Sequence, residues 1–200
     1  GAVWIDRMID RYAAIKTILG RIDTDDLVLS TTGMISREVF VTSDRPANFY
    51  MIGSMGLLSS FGLGLALHSP EKRVYVLEGD GSALMSLGAL PLIASERPAN
   101  LVHIILDNEA YESTGAQPSI SSKVDLAEIG RSCGYAHVAR VDDVEGLEGA
   151  LQDNETTPGP HLIMVKVGIA PVEGIPRVSH TPIEIRDRFK AKVGSGSEGR

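Results

Sequence analysis

The stretch 79–108 constrains the fold of this chain more strongly than any other part of the sequence. Apolar runs at 73–77 and 101–106 each lead into a short polar loop, and a mostly apolar segment of helical length separates them. This pattern predicts two buried parallel strands joined by a crossover helix. Because a right-handed crossover places both polar loops at the same edge of the sheet, we expect Asp80 and Asn108 to converge there.

The residue types in these two loops predict a site for a diphosphate bridged by a metal ion. Asp80 offers a carboxylate oxygen and Asn108 an amide oxygen, and both suit Mg²⁺ when phosphates and water complete its coordination. Gly79 and Gly81 let the backbone approach a phosphate closely, and Ser82 begins a helix whose free N–H groups attract anions. The GDGS motif alone favours an ordinary strand–turn–helix corner capped by Asp80. The Asp-Asn pair downstream shifts the interpretation towards a ligand site.

The spacing of these motifs resembles that of a known enzyme family. A GDG motif followed by an asparagine 28 residues after its aspartate resembles the thiamine diphosphate motif. Four stretches resemble the sulfopyruvate and phosphonopyruvate decarboxylase branch of these enzymes. They are STTGMISRE at 30–38, GSMG at 53–56, GDGSALMSLG at 79–88 and DNEAYESTG at 107–115. The resemblance covers about residues 25–189, and it implies thiamine diphosphate and Mg²⁺ as cofactors.

The resemblance also implies roles for the residues that match its motifs. Met55 corresponds to the bulky apolar residue that wedges the cofactor into a V shape, although core filling is the alternative role for a methionine. Gly53 offers a carbonyl to the aminopyrimidine, and the carbonyl of Ala110 is expected to join Asp80 and Asn108 as the third protein ligand of Mg²⁺. The expected cofactor-binding residues are Thr32, Gly53, Ser54, Met55, Gly79, Asp80, Gly81, Ser82, Asn108, Ala110 and Tyr111.

Two polar loops are candidates for contacts with the substrate. Residues 31–36 follow a short buried strand, and residues 109–122 form a loop of a length that is often functional. Arg37, Ser113 and Gln117 are hydrogen-bond donors suited to an anionic substrate. The alternatives are a plain helix-capping loop at 31–36 and ordinary surface solvation for each of the three side chains.

The whole chain predicts an α/β fold, a doubly wound parallel sheet of about six strands with helices on both faces. Residues 3–20 show the apolar spacing of a helix, and Pro91 is expected to kink or end the helix that begins at Ser82. A length of 200 residues, 43% of them hydrophobic, suits one diphosphate-binding domain over residues 1–193, with a flexible tail at 194–200. The expected strands lie at 27–30, 48–52, 73–77, 101–106, 135–141 and 161–167.

Composition excludes several other classes of function. A net charge of −7 without a basic run argues against nucleic acid as a partner. Cys133 is the single cysteine, which excludes an intrachain disulfide and fits a reducing cytoplasm. The longest uncharged run, 47–69, is too rich in Gly and polar residues for a membrane span. The five histidines show no metal-binding spacing, and His103, inside a strand, is expected to be a core histidine with hydrogen-bond partners.

The function implied by the resemblance is decarboxylation of 3-sulfopyruvate or 3-phosphonopyruvate to the corresponding aldehyde. The alternatives are an acetolactate-synthase-like or other 2-oxo-acid enzyme, and a non-catalytic subunit that binds the cofactor to stabilise a partner. In the resembling family, a glutamate from a second, pyrimidine-binding domain activates the cofactor. About 50 residues precede Gly53, too few for that domain. We therefore expect a pyrimidine-binding partner chain or domain and a hetero-oligomer.

Overall fold

The computed structural model describes residues 8–169 and 174–194. Strands alternate with helices along most of the chain. The strands are β1 Ile9–Asp10, β2 Leu27–Ser30, β3 Asn48–Tyr50, β4 Val74–Gly79, β5 Leu101–Asp107, β6 Ala110–Tyr111, β7 Gln117–Pro118, β8 His137–Val141 and β9 His161–Gly168. The helices are α1 Arg11–Leu19, α2 Met34–Thr42, α3 Leu58–His68, α4 Asp80–Met85, α5 Ala89–Glu96, α6 Leu126–Cys133, α7 Val144–Thr156 and α8 Pro182–Val193.

The main sheet is parallel throughout, and its strand order contains a reversal. The central order is β9, β5, β4, β2 and β3, and both β8 and β1 pair with the outer side of β9. From β2 the chain moves outwards to β3, then crosses back to β4 on the other side of β2. In open parallel sheets, ligands bind outside the carboxyl ends of the strands at such a reversal. The topology therefore predicts a ligand site at the loops that follow β2 and β4.

The two faces of the sheet carry separate hydrophobic cores. Along β4, Val74 and Val76 belong to one core, and Tyr75 and Leu77 belong to the other. Helices α3, α5 and α6 cover the first face, and α1, α2 and α7 cover the second, while α8 contributes to both. Since both faces are covered, the central strands are apolar at nearly every position instead of alternating. The predicted doubly wound α/β fold is confirmed.

All six predicted strands are present, and the described residues include three further strands of two residues each. The pair β6 and β7 is a small antiparallel ribbon within the predicted loop 109–122, flanked by 3-10 turns at Glu112–Thr114 and Ile120–Ser122. Strand β1 was predicted as helix, but α1 begins at Arg11 because the Asp10 carboxylate caps the N–H groups of Tyr12 and Ala13. Such short strands have no hydrophobic period, so apolar spacing cannot reveal them.

The predicted helix from Ser82 is two helices, and Pro91 is not the cause. The break lies between Met85, where α4 ends, and Ala89, where α5 begins. Pro91 occupies the first turn of α5, where an N–H group has no partner within the helix, so the proline is tolerated. The expectation that Pro91 kinks or ends a helix is therefore wrong.

The remaining predictions concern the chain ends and membranes. Gly194 ends α8, and most of the predicted tail lies outside the described residues, as do residues 3–7 of the predicted first helix. The extent of the domain, 1–193, stays a prediction. None of the helices in the described part of the chain is long and apolar enough to cross a membrane.

Candidate functional site

A cleft opens at the carboxyl ends of β2, β4 and β5, as the strand-end argument predicts. Thr32 after β2, Asp80 after β4 and Asn108 after β5 all line it. Its volume is about 110 Å³, and we refer to it as the strand-end cleft. The sequence positions of these residues are far apart, and only the parallel crossovers bring them together.

Asp80 lies buried in this cleft and is hydrogen-bonded by serines. Its Oδ2 accepts a hydrogen bond from the Ser119 hydroxyl, and the Ser121 hydroxyl oxygen lies 3.0 Å from the same atom. Burial raises the pKa of Asp80 above its ordinary value. The hydrogen bond from Ser119 opposes this shift, and the negative charge of Asp107 adds to it. Asp80 is thus a carboxylate whose charged form is poorly compensated by the protein itself.

The side-chain amide of Asn108 is held in one orientation. Its Oδ1 accepts the Ala110 N–H at 3.1 Å, and its Nδ2 donates to Glu112 Oε2 at 3.1 Å. Glu112 is itself bound by Arg11, which also forms a two-pronged pair with Glu38 at 2.7 and 2.8 Å. The ionised carboxylate of Glu112 can accept hydrogen bonds but cannot donate them, so the NH₂ group of the Asn108 amide must face it. The oxygen end is thereby left on the side of Ala110.

Arg11 keeps its charge although it is buried under the cleft. Burial alone would lower its pKa, but hydrogen bonds to Glu38 and Glu112 raise the pKa overall. Bidentate pairing of this kind is geometrically specific as well as strong. The guanidinium therefore acts as a fixed support for the loop that carries Glu112.

Gly81 is required by packing. A Cβ atom at this position would lie 2.4 Å from Cε1 of Tyr111 and 3.1 Å from Cε of Met55. Real Cβ contacts are essentially never shorter than 3.0 Å, so the Tyr111 ring occupies the space that a side chain would need. Tyr111 and Met55 both line the strand-end cleft, and both approach the position that a Cβ atom of residue 81 would occupy.

Ser82 belongs to a buried chain of hydrogen bonds that starts behind the cleft. Its hydroxyl donates to Glu78 Oε2 at 2.6 Å and accepts the Gly56 N–H at 3.2 Å. Glu78 Oε1 lies 2.7 Å from His103 Nε2, and His103 Nδ1 lies 3.0 Å from the Tyr135 hydroxyl. His103 is fully buried with a partner on each nitrogen, which confirms the prediction of a core histidine. The single hydroxyl proton of Ser82 is donated to Glu78. The hydroxyl oxygen therefore acts as an acceptor for the Gly56 N–H, and this bond connects the loop at 53–56 to α4.

A second ion pair lies behind Asp80. Lys166 Nζ is 2.8 Å from Asp107 Oδ2 and also binds Glu109, and Ser121 donates to Asp107 Oδ1 at 2.7 Å. Burial alone would lower the pKa of Lys166, but these two acidic partners raise it overall. Ser121 thus connects a neutralised carboxylate, Asp107, with Asp80.

The strand-end cleft brings together most of the predicted site residues. Gly53 and Ser54 are exposed and do not line it, and Ser54 has a φ of 53°. Gln117 is exposed and makes two hydrogen bonds with Thr114, each of 2.9 Å. Its Oε1 accepts from the Thr114 hydroxyl, and its Nε2 donates to the Thr114 carbonyl oxygen. The roles of all the predicted site residues, including those that line the cleft, stay predictions. Those that do line the cleft are Thr32, Met55, Gly79, Asp80, Gly81, Ser82, Asn108, Ala110, Tyr111 and Ser113.

Sequence reasoning missed the residues that support this site. Arg11 is 101 positions from Glu112, and Lys166 is 59 positions from Asp107, so local patterns cannot pair them. Only Lys166 carries a usable signal, because it interrupts the apolar run of β9. A charged residue inside a buried strand requires a partner, and that requirement points to an acid on the neighbouring strand.

Within residues 8–169 and 174–194, no three His, Cys, Asp or Glu side chains cluster in a way that could hold a metal ion. The predicted ligand set contains one carboxylate, one amide and one backbone carbonyl. Such a set is not a cluster of this kind, so the Mg²⁺ ligands stay predictions.

Comparison with known proteins identifies the family. Residues 31–165 match the family described as "Thiamine pyrophosphate enzyme, C-terminal TPP binding domain". The chain belongs to this family. The matched segment begins at the end of β2 and includes the loops that form the strand-end cleft. The predicted thiamine diphosphate cofactor is thus confirmed by the family.

The relatives fall within the branch that the motifs indicate. The chain is 46% identical to a "Sulfopyruvate decarboxylase subunit beta" of Methanocaldococcus jannaschii, covering 92% of this chain and 96% of that protein. It is 41% identical to a "Phosphonopyruvate decarboxylase" of Streptomyces viridochromogenes, covering 94% of this chain. The chain spans about half the length of this second relative, 47%. The predicted branch of the family is confirmed.

A solved structure supports the fold. A chain from Mycobacterium smegmatis, described as a thiamin diphosphate-dependent enzyme, superposes with a TM-score of 0.70 at 19% identity. The match covers 81% of this chain and 32% of that chain. At this level of identity the likeness bears on the arrangement of strands and helices alone.

Proposed function

We propose that this chain is the diphosphate-binding half of a thiamine diphosphate- and Mg²⁺-dependent decarboxylase. Its substrate is 3-sulfopyruvate or 3-phosphonopyruvate, and its product is the corresponding aldehyde. The observation that supports this most directly is that Asp80 and Asn108, 28 residues apart in sequence, line one cleft beside Gly81. The choice of substrates comes from the likeness to relatives whose names state these reactions.

The buried carboxylates support the presence of a metal ion. Of the four that are buried in the described part of the chain, only Asp80 has serines alone as its side-chain hydrogen-bond partners. A buried carboxylate without a counter-charge is costly, and a divalent cation would supply that charge. The donor set therefore fits Mg²⁺, held by Asp80, Asn108 Oδ1 and the carbonyl of Ala110. Glu38 pairs with Arg11 and Asp107 pairs with Lys166, while Glu78 has His103 as a partner in addition to Ser82.

The remaining cleft residues would bind and orient the cofactor. Thr32 and the glycines at 79 and 81 lie where a diphosphate would approach the backbone. Met55 and Tyr111 present bulky side chains to the cleft next to Gly81, and in the proposal they fix the conformation of the cofactor. When bound, the cofactor supplies the carbanion stabilisation that decarboxylation requires, and the protein supplies position and surroundings.

An exposed apolar rim beside the cleft supports the expectation of a partner. Ile52, Met55, Leu57 and Met85 are each exposed by 36% or more. Met55 lies next to Gly81 at the cleft, and Met85 lies next to Gly56. Exposed apolar patches next to a ligand site are typical of interfaces. In the proposal, a pyrimidine-binding partner chain or domain covers this rim and supplies the activating glutamate. The active enzyme is then a hetero-oligomer, which we place in the cytoplasm because Cys133 is a free thiol.

Cofactor binding tests the metal site. Titration calorimetry of the assembled enzyme with thiamine diphosphate and Mg²⁺ should show at least about a tenfold loss of affinity for Asp80→Ala, equivalent to about 1.4 kcal/mol. Asp153→Ala, which removes an exposed carboxylate on α7, is the matched control and should bind as the parent does. Unchanged affinity in Asp80→Ala would contradict the assignment of the cleft.

Turnover tests the reaction and the need for a partner. The chain alone should release no CO₂ from either substrate, and adding the partner should restore release. Mutating the partner's activating glutamate to glutamine should abolish it. Pyruvate as the preferred substrate would favour an acetolactate-synthase-like or other 2-oxo-acid enzyme, and robust decarboxylation by the isolated chain would refute the partner requirement.

A further inference from the structure

A second cleft adjoins the strand-end cleft on the side of α2. The two share wall residues, among them Thr32, Gly33 and Ser113, so a molecule in one is in reach of the other. The second cleft has a volume of about 830 Å³ and two arginines in its lining, Arg37 and Arg177. We call it the arginine cleft.

The two arginines have no acidic partner in the described part of the chain. The one hydrogen bond of the Arg37 side chain runs from Nη1 to the sulfur of Met34 at 3.4 Å, and the Arg177 side chain makes no hydrogen bond or ion pair. By contrast, six other arginines pair with carboxylates. Arg45 and Arg73 bond to amide or backbone oxygens. Arg37 and Arg177 are thus two guanidinium groups without a carboxylate or carbonyl partner that line the same cleft.

Among the described residues, the one acid that lines the arginine cleft is already engaged. Glu112 accepts hydrogen bonds from Arg11 and from Asn108, so its charge is compensated from the other side. The cleft therefore keeps a positive potential from Arg37 and Arg177. Guanidinium groups bind carboxylate, sulfonate and phosphonate oxygens with paired N–H donors, and Ser113 adds a hydroxyl donor on the shared wall.

The rest of the lining favours a small organic anion. Met51, Ile52, Ile169 and Val178 form an apolar part of the wall, and Ile52 and Ile169 are largely exposed. An apolar wall next to charged donors suits a short carbon chain that ends in an anionic group. It is not the composition of a site for a hydrated ion alone.

From these contacts we infer that Arg37 and Arg177 bind the sulfonate or phosphonate group of the substrate, while its 2-oxo-acid end lies in the strand-end cleft. The inference rests on the proposed function and names two residues that determine the specificity of the same enzyme. Sulfonate and phosphonate share a tetrahedral arrangement of three oxygens, and the two arginines recognise that shared chemistry.

Direct binding of product-like anions tests this inference. Sulfoacetate and phosphonoacetate are titrated separately into the cofactor-loaded, assembled enzyme by calorimetry. Arg37→Gln and Arg177→Gln should each weaken binding of the preferred probe by at least about tenfold, the effect expected for loss of a charged hydrogen bond. The affinity for thiamine diphosphate should stay unchanged. Arg97→Gln, which removes an exposed arginine after α5, is the matched control and should bind both the probe and the cofactor as the parent does.

Kinetics with three substrates provide a second readout. In the double variant, kcat/KM should fall at least about tenfold for sulfopyruvate or phosphonopyruvate and stay unchanged for pyruvate. Arg37→Lys should lose less activity than Arg37→Gln, because lysine keeps the positive charge but lacks the paired N–H donors. The melting temperature of each variant controls for folding.

The outcomes separate this inference from the proposed function. If the parent enzyme binds a probe and the arginine variants do not, the anion site is supported even when no substrate is turned over. If the double variant binds the probes as the parent does, or if the parent binds neither, the inference is wrong. It is also overturned if the variants fold but fail to join the partner, because the arginines then pair with the partner's acids.

Discussion

Replacing Gly81 by alanine tests whether the strand-end cleft depends on the contact between α4 and Tyr111. The added methyl group would lie 2.4 Å from the Tyr111 ring, whereas ordinary contacts fall between 3.4 and 4 Å. The ring must therefore move by about 1 Å or more. Overpacking of this kind costs about 1–3 kcal/mol, while alanine gains up to about 1 kcal/mol over glycine in a helix.

A second glycine provides a control for the helical gain. Gly64 lies inside α3, and a Cβ atom there would meet nothing within 4 Å. Gly64→Ala should raise the melting temperature, and Gly81→Ala should not. The difference between the two variants, about 1–3 kcal/mol, is the cost of packing against Tyr111. In a chain of this size, 1 kcal/mol corresponds to about 2–4 °C in melting temperature.

Cofactor binding is the second readout for Gly81→Ala. A displaced Tyr111 ring enters the cleft, so the affinity for thiamine diphosphate should fall by about tenfold or more in calorimetry. In a Tyr111→Ala background, the same glycine substitution should cost less, which a double-mutant cycle measures. Equal effects of Gly81→Ala and Gly64→Ala on melting and on binding would refute the packing argument.

Two further predictions concern the support of Asn108 and the response to acid. Glu112→Leu leaves the Asn108 amide without its acceptor and should weaken Mg²⁺-dependent cofactor binding by about 10–100-fold in calorimetry, whereas Glu112→Gln keeps an acceptor and should lose less. Burial lowers the pKa of His161 below its ordinary value of 6.5. As the pH falls through 6.5, His161 therefore becomes protonated in the unfolded chain before it does in the folded chain. The free energy of unfolding should therefore fall as pH drops through about 6.5, and denaturant titrations of His161→Gln should show a flatter dependence.

The sequence predicted the parts of the site that follow from strand ends. Asp80 and Asn108 come directly after the two longest buried apolar runs near the centre of the chain, and parallel crossovers leave one arrangement for them. The same reasoning predicted that the loop holding Thr32 faces the site, whereas loop length and donor chemistry pointed to Ser113, and both residues line the cleft. These successes depend on local pattern and on the handedness of the connection, and neither requires knowledge of side-chain contacts.

Supporting contacts and helix breaks could not be predicted in the same way. The pairing of Arg11 with Glu112 depends on the packing of α1 under the cleft, and no periodicity in the sequence encodes it. The break at 86–88 has no proline, while Pro91, which looks like a breaker, lies harmlessly in a first turn. Arg177 belongs to a loop without a periodic pattern, so only the folded chain reveals its position beside Arg37.

The two ends of the proposed cofactor site differ in how far this chain fixes them. The loop after β5 is fastened to the protein by Glu112 at one end and by Ser119 and Ser121 at the other, without help from a ligand. Binding of a diphosphate and a metal there would require little further ordering, which favours affinity. By contrast, Gly53 and Met55 lie on an exposed loop. This asymmetry agrees with the proposed half-site, in which this chain would hold the diphosphate end and a partner would cover the aminopyrimidine end.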